Sequence, residues 1–336
     1  MADGPGDQLL LTVNDTVGTF ERVNFNPFSL EMIGVERVVV TGQGGDDSLT
    51  VAQSGPISAF GAIHFTGGSA QDSFFGDTTT SRNFISGGDG DDVIISGSGN
   101  DFSLWVNGDG SDNVIGGDGN DAQRFNMADG PGDEVTLSGD TGVATFARTN
   151  FNEFSVTMQQ VERVVVSGLD ADDIITLDNA EDGGIFSVNF AGGNGQDQVL
   201  TDSSTTVRVI ANGGEGDDQL NGGAANDVLI GCAGQDNLVG NDGRDRLLGQ
   251  AGDDTLTGGA GRNTFVFTPG SNNDTITDFE IGQDIIRYNL ATFVFDDLNI
   301  SASGGDLWIA TPEGDSITLV GLAEETLTSA DFMIVT

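Results

Sequence analysis

The sequence predicts an all-β chain wound as a right-handed parallel β-solenoid, and three observations lead there. Short runs of Val, Ile, Leu and Phe alternate with Gly and Asp along the whole chain, the pattern of brief strands joined by tight turns. A long segment occurs twice. A nine-residue unit recurs inside each copy, and repeats on that scale are the mark of a stacked architecture.

Composition narrows the classes of function. The 336 residues carry 53 acidic and 11 basic side chains, a net charge of −42, and every basic residue is Arg. Such a surface repels nucleic acid and anionic membranes, whose phosphates need Lys and Arg to neutralise them. Acidity this high favours disorder, yet 37% of the residues are hydrophobic. A cation bound at the turns reconciles the two. The single Cys232 rules out an internal disulfide framework. No apolar run reaches the ~18 residues of a membrane span, and the first residues lack the basic start and apolar core of a secretory signal peptide.

Taken in chain order, the first element is a stretch of wide coils over residues 1–86. Turns at Asp46-Asp47 and Asp72, with counterparts ending at Asp173 and Asp197, recur every ~20–25 residues, a spacing suited to broad solenoid coils. Residues 87–124 are the first block of nine-residue coils, with Trp105-Val106 inserted between its second and third repeats. Met127-Ala128-Asp129-Gly130-Pro131-Gly132-Asp133 then restates Met1–Asp7, and Arg148, Asn150, Phe151, Asn152 and Phe154 restate Arg22, Asn24, Phe25, Asn26 and Phe28. The expected division is therefore a first unit over 1–126, a second over 127–262 (wide coils 127–212, nine-residue coils 213–262) and a C-terminal cap over 263–336. Because the second Met opens its copy inside the array, Met1 is expected to be an interior residue too, the chain being the C-terminal part of a larger protein. The recurring Phe and Asn residues around Asn24-Phe25-Asn26 read as core stacking or an internal ladder. Arg37 and Arg163, each following a Glu in equivalent strands, read as structural pairing.

The nine-residue beat is the specific signal. From Gly213 it runs GGEGDDQLN, GGAANDVLI, GCAGQDNLV, GNDGRDRLL, GQAGDDTLT, GGAGRNTFV. Position six holds Asp218, Asp227, Asp236, Asp245 and Asp254, then Asn263; the earlier block has Asp92, Asp101, Asp112 and Asp121 there. Position eight is Leu220, Leu229, Leu238, Leu247, Leu256 and Phe265, the core-facing member of a three-residue strand. Ca²⁺ takes roughly 6–8 oxygen ligands in flexible geometry. A short turn supplies so many only if its carbonyls point inward, which calls for glycine at positions one, two and four, with Asp adding the charged oxygen. Arg244 at position five shows that this side chain is no necessary ligand. Two units make one coil, so Asp218 is expected to pair with Asp236, Asp236 with Asp254, Asp227 with Asp245, Asp92 with Asp112 and Asp101 with Asp121, with ions between them. Binding and folding then become one event. The aspartates of the wide-coil turns read as turn formers first and Ca²⁺ ligands second.

These residues resemble the repeats-in-toxin (RTX) nonapeptide G-G-x-G-x-D-x-U-x from Gly87 to Arg124 and from Gly213 onward. The resemblance implies a parallel β-roll, several Ca²⁺ ions between its turns, and export by type I secretion machinery to the extracellular space. Departures stand at Ala225, Asn263, Ser103 and Gln123. Asp274–Phe279 and Gly282–Ile286 resemble the closing module that follows RTX repeats, and Asp331–Thr336 resembles an uncleaved secretion signal, with capping of the solenoid end as a second role.

No enzymatic activity is expected. His64 is the only histidine, so neither a three-histidine metal centre nor H-E-x-x-H exists; it reads as a strand surface residue. Paired acids such as Asp91-Asp92 recur too regularly to mark one acid–base centre. A carbohydrate-binding or adhesive noncatalytic module, contacting extracellular polysaccharide or a cell surface, stays open as the alternative. Exposed aromatics on one face would favour it, and Trp105 and Trp308 alone do not decide.

Overall fold

The computed structural model describes residues 6–14, 17–22, 28–33, 36–54, 61–127, 131–150, 152–289 and 292–335. The expectations placed on Met1–Pro5, on Asn24-Phe25-Asn26, on Phe151 and on Thr336 lie outside them. The fold is the all-β parallel solenoid that the repeats call for, and the chain forms two compact units. One comprises 1–128, 135–166 and 179–186, the other 129–134, 167–178 and 187–336.

In the first unit one sheet stacks Arg37–Gly44, Ala62–Ser69, Arg82–Asp89, Phe102–Val106 and Ala122–Asn126 in parallel. A second sheet stacks Ser48–Ser54, Ser73–Phe75, Val93–Ile95, Asn113–Ile115 and Phe154–Gln159. Coil length follows the sequence spacing. Arg37 lies opposite Ala62 and Ala62 opposite Arg82, which is the wide-coil rhythm, whereas Phe84 lies opposite Phe102 at two nonapeptides. The Trp105-Val106 insertion lengthens the next coil, so Phe102 faces Ala122. Trp105 fills the widened interior at 1% exposure and stacks on Phe154 with ring centroids 4.0 Å apart; Phe125 stacks on Phe146 at 3.8 Å. The core-stacking reading of the recurring Phe residues thus describes Phe154 in the second copy.

The wide coils are not parallel throughout. Gln8–Asn14, Val17–Arg22 and Phe28–Ile33 form an antiparallel meander, and Val143–Arg148 runs antiparallel to Phe154–Gln159. Chain length explains this. Two residues separate Asn14 from Val17, and so short a link closes a hairpin but cannot make the crossover that parallel strands need.

In the second unit, Ser187–Asn194, Arg208–Glu215, Val228–Ala233, Arg246–Ala251, Thr264–Phe267, Ile285–Asn289 and Phe332–Val335 make one parallel sheet. The other runs Gln198–Thr201, Gln219–Asn221, Asn237–Val239, Thr255–Thr257, Asn273–Ile276 and Ser316–Leu319. The position-eight residues form two inward ladders, Leu220–Leu238–Leu256–Ile276 and Leu229–Leu247–Phe265–Ile286, every member fully buried. Two nonapeptides per coil follows from that register. Toward the C-terminus Asn299–Ser303, Asp306–Ala310 and Ser316–Leu319 form an antiparallel meander.

Candidate metal centre

Every position-six aspartate that the repeats single out is buried. Asp92, Asp101, Asp112, Asp121, Asp218, Asp227, Asp236, Asp245 and Asp254 are each at most 5% exposed. The structure also brings together each pair expected from the spacing. The backbone N–H of Asp218 donates to Oδ1 of Asp236 (2.9 Å), that of Asp236 to Asp254 (2.9 Å), and that of Asp227 to Asp245 (2.8 Å). Asp92 donates to Asp112 (3.0 Å) and Asp101 to Asp121 (2.7 Å) in the same way. One oxygen of each acceptor carboxylate is therefore a rung between coils.

The columns extend beyond the nonapeptides. In the first unit Asp7 donates to Asp47, Asp47 to Asp72 and Asp72 to Asp92. In the second, Asp133 donates to Asp173, Asp173 to Asp197, Asp197 to Asp218 and Asp254 to Asp274. The wide-coil aspartates are members of the same device. Asp7, Asp133, Asp274 and Asp284, the last accepting the N–H of Asn263 (2.8 Å), escape a reading by motif because no glycine-rich nonamer surrounds them. Their signal is a lone Asp one residue before or at the start of an apolar run.

Asp112 apart, the other oxygen divides the nonapeptide aspartates into two kinds. Oδ2 of Asp92, Asp121, Asp218, Asp236, Asp245 and Asp254 is buried with no hydrogen-bond donor, as it is at Asp72, Asp173, Asp197 and Asp274. By contrast, Oδ2 of Asp227 accepts the N–H of Gly223 (2.8 Å), and Oδ2 of Asp101 that of Gly97 (3.3 Å). The backbone explains the split. In the six nonapeptide turns with an orphaned oxygen, positions two and four are left-handed, as at Gly214 and Gly216 or Cys232 and Gly234. Neither Gly97 and Gly99 nor Gly223 and Ala225 adopt that conformation, and the position-two N–H turns to the carboxylate instead. Ala225, a departure visible in the sequence, sits in one of these two turns; a Cβ disfavours φ > 0 there.

Glycine at position one has a different reason from the one expected. Gly87, Gly213, Gly231 and Gly249 do not have positive φ. A Cβ on any of them would collide with Oδ2 of its own Asp92, Asp218, Asp236 or Asp254. The glycine clears space for a carboxylate, and position two, left-handed at Cys232 (φ 87°), Asn241 (φ 71°) and Gln250 (φ 76°), tolerates side chains. Position five is an exposed acceptor ladder: Asp91 takes the N–H of Ser111 (2.9 Å), Asp217 that of Gln235 (2.8 Å) and Asn226 that of Arg244 (2.8 Å).

Burial makes these carboxyls hard to ionise. It pushes Asp92 and Asp236 up to about 6, Asp121, Asp218 and Asp245 to about 7, and Asp112 to about 8. The N–H donors oppose that shift, and neighbouring aspartates add to it. Asp101, Asp227 and Asp254 are raised as well. A column of buried carboxylates with orphaned oxygens demands protons or a cation. The donor set is all oxygen, which suits a hard divalent ion. Among the described residues no three Asp, Glu, His or Cys side chains converge on one point, so backbone carbonyls would have to complete any such site. They are at hand between coils: the carbonyl of Gly216 packs against Gly234, and that of Gly234 against Gly252.

The sequence departures resolve individually. Ser103 and Gln123, polar where an apolar residue is expected, are buried opposite each other and hydrogen-bonded, Ser103 Oγ to Gln123 Oε1. Asn263 keeps the rung, accepting from Asp245 (3.0 Å), and its amide donates to its own turn at Gly259 O (3.2 Å). No oxygen is orphaned there. His64 is half-buried on the strand surface and stacks on Phe84 at 4.5 Å. The pairing expected at Arg37 and Arg163 is not seen, whereas Arg22 pairs with Asp7 (3.2 Å). Glu162 instead accepts the N–H of Asp121 (2.7 Å), closing that column.

No curated protein matches the chain. Similarity to solved structures is partial. The AlgE6R3 subunit of the Azotobacter vinelandii mannuronan C5-epimerase is 27% identical, covering 35% of this chain and 78% of its own, with a TM-score of 0.31. The AlgE6R2 subunit of that enzyme is also 27% identical over 34% and 92%, with a TM-score of 0.28. Extracellular lipase LipA from Serratia marcescens is 14% identical over 86% of this chain and 45% of its own, with a TM-score of 0.28. The RTX calcium-binding nonapeptide repeat (4 copies) matches residues 66–102, 210–238 and 233–265. Turns within those segments stack their aspartates in buried columns, and the segments are RTX calcium-binding repeats.

Proposed function

We propose that this chain is a secreted calcium-binding module whose folding is driven by Ca²⁺ after export. The observation that carries the reading is the set of orphaned, buried Oδ2 atoms, at Asp92, Asp121, Asp218, Asp236, Asp245 and Asp254 among the residues singled out by the repeats. Together with Asp112, these residues would hold the ions, with neighbouring backbone carbonyls. Asp101 and Asp227 line the same columns as structural rungs, their second oxygen already satisfied. A bound ion would neutralise carboxylates that burial makes costly to ionise.

The magnitudes favour a folding switch. With a Kd of about 10⁻⁴ M and about 1 mM free Ca²⁺, each site adds about 1.4 kcal/mol. A handful of sites then matches the net stability of a whole domain. At cytosolic, sub-micromolar Ca²⁺ the same contribution is close to zero. The chain would stay open for a type I exporter that reads the uncleaved C-terminal segment, and fold outside. In this reading residues 1–126 and 127–262 act as duplicated calcium units and 263–336 as cap and export module, with no catalysis assigned to any of them. The carbohydrate-binding alternative draws little support, since Trp105 is buried in the core and the exposed aromatics Phe186 and Trp308 belong to different units.

A far-UV circular dichroism titration from a chelated start tests the proposal, with Mg²⁺ as the control ion. A cooperative coil-to-β transition with Ca²⁺ alone is expected. A β spectrum indifferent to chelator would refute calcium-driven folding.

A further inference from the structure

Four of the eleven arginines, Arg244, Arg246, Arg262 and Arg287, line one groove of about 450 Å³ in the second unit. Register explains the gathering. Gly243 bridges Gly261, which sets Arg244 and Arg262 at one position on adjacent coils, and Arg246 pairs with Thr264, which pairs with Ile285 next to the strand position of Arg287. Adjacent strands lie about 4.8 Å apart, so Arg244 and Arg262 stack as like charges on successive coils, an arrangement that repels, while Arg246 faces Thr264 and Arg287 faces Val266.

A chain with 53 acidic residues has ample means to neutralise them, yet it does not. Among the described residues none of the four forms an ion pair. The acid that lines the groove, Asp245, is buried, with Oδ1 accepting the N–H of Asp227 and Oδ2 packed against Gly240. Arg244, Arg246 and Arg262 are exposed; Arg287 is half-buried and steadied by Nε donating to Asn289 Oδ1 (2.8 Å). Guanidinium forks match carboxylate, sulfate and phosphate oxygens two at a time. Ile285 and Met333 add apolar wall between them.

We infer that this groove is a binding site for a ligand bearing closely spaced oxyanions. The net charge of −42 repels polyanions at long range, but that field is screened beyond about 8 Å at physiological salt, so affinity comes from the local forks. The oxyanions arrive either as free small ions or as groups on an acidic oligosaccharide.

Calorimetric titration of the full chain in saturating Ca²⁺ tests this, with inorganic sulfate and a short sulfated oligosaccharide as probes. Binding of sulfate as tightly as the oligosaccharide identifies a free-anion site; markedly tighter binding of the oligosaccharide identifies an acidic glycan. In either case Arg244→Ser with Arg262→Ser is expected to weaken binding about a hundredfold, about tenfold per arginine. Arg37→Ser, in the first unit, is expected to leave it unchanged. An unaltered Ca²⁺-induced dichroism transition shows that the double variant still folds. Failure of both probes to bind, or undiminished binding by the folded double variant, overturns the inference.

Discussion

At the scale of single residues, the position-six side chain carries two separable duties. Oδ1 ties one coil to the next through a backbone N–H, a role Asn263 fills as well as Asp. Oδ2 is what asks for a cation, and among the nonapeptide turns it is orphaned only where position two is left-handed. Substituting Asp236→Asn therefore keeps the rung and supplies an amide in place of the orphan. Calorimetric counting should show fewer bound Ca²⁺ ions and a loss of about 1–2 kcal/mol of stability at about 1 mM Ca²⁺. The same substitution should stabilise the chelated protein, because no charge is buried. Asp227→Asn should leave the ion count unchanged, since its second oxygen already has a donor. Equal effects of the two substitutions on the count would contradict this division of turns.

At the scale of the strand pair, the coil is held by like residues facing like across about 4.8 Å. Leu on Leu supplies this in the second unit, with every member of both ladders buried. The pair Phe102–Val106 and Ala122–Asn126 uses a polar contact for the same purpose, Ser103 against Gln123. Removing one partner strands the other in the core. Ser103→Ala should lower stability by about 1–3 kcal/mol, read as a shift in the denaturant midpoint at fixed Ca²⁺. Replacing both with Leu should recover most of that loss. A double variant no more stable than the single would show that the pair contributes nothing of its own.

At the scale of the whole molecule, the buried columns link stability to pH and to metal in opposite senses. The folded-state carboxyl values lie near 6 to 8 for Asp92, Asp112, Asp121, Asp218, Asp236 and Asp245, above the ordinary value of 3.8. Between those limits the native state binds more protons than the unfolded chain, so stability without metal falls as pH rises. The chelated protein should therefore gain β structure as pH is lowered from about 8 toward about 4, with the gain levelling off below 4. Calcium needs the ionised form, so its apparent affinity should fall over the same window and its binding should release protons. Dichroism and proton release measured across that range check both signs. Greater stability of the chelated protein at pH 8 than at pH 5 would contradict the burial argument.

Much of this was legible in the residues alone. The duplication, the nine-residue beat and the Leu series determine an all-β stack with two repeats per coil. They also determine which aspartates pair, because a fixed period leaves one register in which apolar side chains stay inside. Even Ala225 and Asn263 stand out as irregular. The antiparallel meanders were not legible, since the apolar alternation of Leu9, Leu11 and Val13 is the same whether a strand turns back or crosses over. Nor was the purpose of position one, or the split between satisfied and orphaned carboxylates. Both rest on where a backbone N–H points once the coils stack, and that direction depends on φ at position two, which glycine leaves open. The arginine groove is likewise a product of stacking: Arg244, Arg246, Arg262 and Arg287 are scattered over more than forty positions of sequence and become neighbours only when successive coils lie one strand apart.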